Sequence, residues 1–174
     1  MVEQISIQTA LMLFQTLGIC VGVIYHIMTL RNTRRTQDLQ LETRQAQLFM
    51  QTYDNFIEPT FYDKLADFLT WKWDDYDDFM QKYGWDANPK AWQQSGSVVT
   101  FFEGVGVLVQ KGLLDINLVG ELMTRHVIGV WEKIGPISKE MRRRFNRPDH
   151  DANLEYLYDE IKKYEASKYQ SQEN

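Results

Sequence analysis

Residues 10–30 read ALMLFQTLGICVGVIYHIMTL, a run without one charged side chain. In a helix rising about 1.5 Å per residue, some twenty apolar residues cross the roughly 30 Å of a bilayer's hydrocarbon. Lipid offers no hydrogen-bond partner to a backbone, so a helix is the local solution for such a stretch. Its polar members, Gln15, Thr16, His26 and Thr29, can bond along the helix or to a neighbouring one, and His26 lies near the end where headgroups begin. Gly18 and Gly22 form a G-x-x-x-G pair that would let two anchors pack closely, although glycine is common in membrane helices. The alternative is a buried core helix of a soluble protein.

The flanks of this run set its orientation. Residues 1–30 hold a single charged side chain, Glu3, and all nineteen Lys and Arg follow them. A cleavable signal peptide wants a basic leader, which residues 1–7 lack, so an uncleaved anchor is expected. Arg31, Arg34, Arg35 and Arg44 lie just beyond the run. Positive loops are retained on the cytoplasmic side, which places the N-terminus outside and the C-terminal body in the cytoplasm, a single-pass arrangement in the cell membrane.

With 174 residues and a formal charge of −5, the chain has room for one modest core and no overall positive field for a phosphate backbone. Nucleic acid is therefore not an expected partner. Cys20 is the only cysteine, which rules out an intramolecular disulfide and a Cys-rich zinc site.

Beyond the arginines, Leu39, Ala46, Phe49, Tyr53 and Phe56 recur on one helical face, so the anchor is expected to continue as an amphipathic helix that stops before Pro59. A second helix is read from about 60 to 71, and a short one near 74–83, with aspartates in its first turn and Gly84 past its end. Asn88 and Pro89 open the most apolar stretch, residues 90–111, which Gly112 ends. Apolar residues there occupy nearly every face, so this helix should be surrounded by others, with Gly96, Gly104 and Gly106 allowing close backbone approach. Asp115 caps a helix that continues or kinks toward Ile134 before Gly135 and Pro136, and another segment follows through Phe145. Asp149 or Asp151 caps a last helix through Leu154, Leu157, Ile161 and Tyr164, and residues 166–174 read as a frayed tail. The expected architecture is all-α: an anchor with its N-terminal tail (1–30), a juxtamembrane amphipathic helix (31–58), a cytosolic bundle of about five or six helices in all (59–165), and the tail.

Three groups stand out as candidates for chemistry or binding. Glu103 is the only ionisable residue between Val98 and Val109, so it is paired with a buried cation, turned to a solvated edge, or held protonated for proton transfer. Arg142, Arg143, Arg144 and Arg147 form a dense basic run that can meet anionic lipid, an acidic partner or the protein's own aspartates, or simply complement a helix C-terminus. Asp74, Asp75, Asp77 and Asp78 offer oxygen ligands for a divalent cation, yet the EF-hand spacing is absent and helix capping explains them as well.

Other motifs do not assemble. His26, His126 and His150 are far apart in sequence, and the pair His150–Asp151 lacks the remaining ligands of a metal phosphohydrolase. Ser95 and Ser97 flank Gly96 without forming G-x-S-x-G, and no dinucleotide or phosphate-binding glycine loop is present. No catalytic, cofactor-binding or metal residue is assigned, and no cofactor is expected.

The segments FFEGVGVLVQKGLLDINLV, WDDYDDF, VWEKIGPISKEMRRR and YLYDEIKKY together resemble a family of small prokaryotic proteins, with archaeal members, catalogued only as a domain of unknown function. The resemblance spans nearly the whole chain. It implies a membrane-anchored helical domain and carries no catalytic residues. The reading is an interaction or scaffold protein whose partners are the lipid bilayer and a protein, either another chain or a second copy. A membrane-tethered enzyme with a carboxylate site near Glu103 is the alternative.

Overall fold

The computed structural model describes residues 2–170, with side chains from Ile7 onward. Among these residues there are six helices and no strand: α1 (Val2–Ile57), α2 (Pro59–Thr70), α3 (Tyr76–Tyr83), α4 (Pro89–Gln110), α5 (Ile116–Phe145) and α6 (Ala152–Gln170). The fold is all-helical, with a long apolar helix first and a compact bundle after it. Two compact units divide the chain, Met1–Arg44 and Gln45–Asn174.

The first unit is helix alone. Its apolar stretch is long and greasy enough to cross a membrane, and none of that window is buried. Leu11, Leu17 and Ile24 are 64, 61 and 54 % exposed, far beyond what a core helix shows. Thr16 donates its hydroxyl to the carbonyl of Met12 at 2.8 Å, so that polar group is satisfied within the helix. Residues 31–44 are exposed on every side.

In the second unit the end of α1 contributes Phe49 and Phe56 to the core, with Leu48 and Tyr53 partly buried beside them. Leu39 and Ala46 do not extend that stripe as their spacing suggested. Both are exposed, and burial begins instead at Gln45, whose side-chain amide donates to the carbonyl of Gly112 at 2.7 Å. Phe56 meets Phe101 and Phe102 of α4 with ring centroids 6.1 and 6.2 Å apart.

Local chemistry starts and stops the helices much as expected. Glu58 accepts from the amide of Phe61 ahead of Pro59, Asp75 from Asp78, Asn88 from Ala91 ahead of Pro89, and Asp115 from Asn117. Gly112, at φ +67, closes α4: its amide donates to Val109 and that of Leu113 to Leu108, each at 2.9 Å, the paired bonds of a glycine-terminated helix. Helix α4 packs against α2, α3, α5 and α6, so it is the surrounded element its composition predicted. Of its glycines, Gly106 permits the close approach, because a Cβ there would lie 2.1 Å from the Asn153 carbonyl oxygen. Gly96 and Gly104 face open space instead.

Two expectations are corrected here. Pro136 does not divide α5, which runs through it to Phe145. The proline and the residue whose carbonyl it leaves without a partner, Glu132, both sit on the solvent side, while Trp131, Ile134, Ile137 and Met141 continue one buried stripe across the site. Helix α6 likewise extends through residues 166–170, expected to fray, while positions 171–174 lie outside the described residues.

Candidate functional site

The arginines beyond the apolar stretch, Arg31, Arg34 and Arg35, are exposed and form no ion pair among the described residues. A side chain added at Gly18 or Gly22 would meet nothing within 4 Å, so that face is open.

Glu103 is half-buried and is engaged by α6 rather than by a cation. One carboxylate oxygen accepts from the Leu154 amide at 2.6 Å and the other from the Asn153 side chain at 2.9 Å. A carboxylate from the middle of α4 thus satisfies a first-turn amide of α6, an N-cap supplied from another helix, where negative charge also complements the helix dipole. Asp151 does not cap through its side chain, because its backbone turns left-handed at φ +52 and its carboxylate accepts from Ser138. Asp149 is drawn to Arg147 at 3.3 Å.

The basic run is engaged by the chain's own acids and carbonyls, Arg142 half-buried and the others at the surface. Arg142 donates to the His150 carbonyl at 2.7 Å and to Glu155 at 2.5 Å. Burial pushes the Glu155 carboxyl up, but Arg142 and Lys139 outweigh it and the net shift is downward. Arg144 grips Asp77 with two nitrogens, at 2.6 and 3.1 Å, lies over the Tyr76 ring, and shares Glu140 with Arg143. Hydrogen bonds from Arg143 and Arg144 hold Glu140 down to about 2.

The aspartate cluster is similarly engaged: Asp75 caps α3, Asp78 pairs with Lys82 at 2.7 Å, and Asp77 receives Arg144. Beside it, an open cleft of about 780 Å³ is bordered by Trp71, Trp73, Lys133 and Arg144. The Lys133 ammonium donates to the Trp71 carbonyl and sits 4.5 Å from the Trp73 ring centroid. Burial, followed by repulsion from Lys72, lowers its pKa below the ordinary lysine value. Trp85 is exposed, Trp71, Trp73 and Trp92 are partly exposed, and Trp131 is core.

One group went unnoticed in the sequence. Ser138, fully buried in α5, donates to Asp151 Oδ2 at 2.6 Å, and His150 Nε2 approaches the same oxygen at 3.3 Å. Their neighbour is a cavity of about 140 Å³ between α3, α4, α5 and the turn before α6. The serine and the imidazole both address the carboxylate, whereas nucleophilic catalysis would need the imidazole between the other two. Its chemistry is that of a hydrogen-bond acceptor. The spacing H-D at 150–151 was visible, but Ser138 comes from another helix, and no local pattern announces that meeting. Among the described residues no three His, Cys, Asp or Glu side chains converge as a metal site.

The sequence profile of a family described as Domain of unknown function (DUF4760) matches residues 16–161. The chain belongs to this family. The matched part of this DUF4760 member starts within the apolar stretch of α1 and ends within α6, so it takes in Glu103, the basic run and the Ser138–Asp151 contact. No curated protein and no solved structure matches the chain.

Proposed function

We propose that this chain is a membrane-anchored interaction protein. Residues 10–30 cross the bilayer once, the N-terminus lies outside, and the helical bundle lies in the cytoplasm, where it engages a protein partner or a second copy. The observation that carries the reading is the exposure of the whole apolar window of α1 in a chain whose second unit buries an ordinary core. Such a surface is stable in lipid and costly in water. Arg31, Arg34 and Arg35 support the orientation.

Two features favour binding over chemistry. Glu103, the carboxylate on which a tethered enzyme would turn, has both oxygens occupied by α6. Partly exposed tryptophans, by contrast, are the residue type that interface centres favour. The open face at Gly18 and Gly22 suits a second anchor packed alongside.

The test combines fractionation with topology. Full-length protein carrying a C-terminal tag should sediment with membranes, resist alkaline extraction, and expose the tag only after the membrane is permeabilised. Gentle detergent extraction should yield a complex larger than the monomer. A soluble chain, or a tag reached from outside intact cells, would refute the arrangement, and monomer under every extraction condition would refute the scaffold role.

A further inference from the structure

The cavity beside Ser138 and Asp151 has the attributes of a small binding site. Its walls are largely apolar, with Phe79, Trp92, Val99 and Ile137 among them, and its size of about 140 Å³ is close to the roughly 150 Å³ that accommodates a benzene-sized guest in an apolar interior. Its edge at Gly96 and Thr100 is exposed, and a side chain begun at Gly96 would meet nothing within 4 Å. The cavity is therefore reachable from the surface.

The polar end is unusual. The Asp151 side chain is only 12 % exposed, yet no Lys or Arg lines the cavity and none pairs with this carboxylate among the described residues. Oδ2 accepts from the Ser138 hydroxyl and has His150 Nε2 at 3.3 Å, and Oδ1 accepts from no described group. A carboxylate oxygen at the cavity's edge that no protein donor fills is a receptor for positive charge. Its backbone is held at φ +52, a region non-glycine residues adopt mainly where the surroundings require it. That conformation turns the carboxylate back toward α5.

We propose that this cavity binds a small organic cation, a primary amine with a benzene-sized apolar body. The ammonium donates to Asp151 Oδ1, and the body fills the cavity against the apolar wall that includes Phe79 and Trp92. Ser138 is a positioning residue: its hydroxyl fixes the carboxylate by holding the other oxygen.

The probe is 4-fluorobenzylamine, followed by fluorine NMR against full-length protein in nanodiscs, with empty nanodiscs as the control and 4-fluorobenzyl alcohol as the neutral isostere. Saturable broadening of the amine signal is expected. The alcohol should bind about tenfold or more weakly, the scale of one lost charge-assisted hydrogen bond. Asp151→Asn removes the charge while keeping a residue that tolerates positive φ, and should weaken the amine by a similar factor. Gly96→Leu should obstruct the cavity without displacing a neighbour, so it decides the matter even if Asp151→Asn fails to fold. Equal binding of amine and alcohol, unchanged affinity in either folded variant, or no saturable signal above empty nanodiscs would overturn the proposal.

Discussion

Leu17 and Leu65 are the same side chain in two helices of one chain. Leu17 is 61 % exposed in the first unit, and Leu65 is 1 % exposed in the second. Around Leu17 every apolar neighbour also points outward, whereas Leu65 belongs to a cluster with Phe68, Phe102 and Val127. The contrast teaches that the protein itself covers the second leucine and leaves the first uncovered, the position that the proposed anchoring assigns to lipid. A surface that greasy has no reason to persist in water, while the bundle has already satisfied its own requirement.

The largest break in the comparison comes from making the first region resemble a soluble surface. Leu17→Arg with Val21→Arg places two cations near the centre of the apolar run, at about 2.5–3.5 kcal/mol each on insertion scales. The double variant should leave the membrane fraction while its bundle, followed by circular dichroism, keeps its helicity. A membrane fraction unchanged by both substitutions would mean that α1 is not held by lipid.

The converse break is in the core. Phe68 is fully buried, and Phe68→Ala should destabilise the bundle by about 3–5 kcal/mol, read as a lower denaturation midpoint, with no change in membrane association. Smaller is Glu103→Ala, which removes the cap on α6 and should cost about 1–2 kcal/mol. Amide exchange in the first turn of α6 should accelerate while that of α2 does not. If α6 is unaffected, the remote cap contributes nothing to its stability.

The smallest effect sharpens the comparison electrostatically. The folded Glu140 carboxyl sits at about 2 against an ordinary 4.5. Because the folded value is depressed, its contribution is complete above about 4.5 and is lost as pH falls toward about 2. Wild type should therefore exceed Glu140→Gln in stability near neutrality, and the gap should close across that acid window, while anchoring stays constant. A gap independent of pH would assign the effect to packing rather than to the ion network of Arg143 and Arg144.

Much of the fold was legible because it is written locally. Asn88 before Pro89, Asp115 before Ile116, and Gly112 after Gln110 each act on backbone groups within a few residues. Pro136 misled for the complementary reason: whether a proline breaks a helix depends on which face it occupies, and its exposure is decided by helices distant in sequence. Leu39 misled in the same way, since periodicity marks a face without supplying a neighbour to bury it.

By itself the sequence determined the helical class, most helix ends and the charge-free apolar run, all of which follow from spacing and from side chains acting on their own backbone. Only the tertiary structure decided what the charges do. Glu103 became a cap for α6, Arg144 a clamp on Asp77, and Asp151 the acceptor for Ser138. Each of these meetings joins residues from different elements, and a carboxylate's role depends on which donor arrives beside it, which no local pattern encodes.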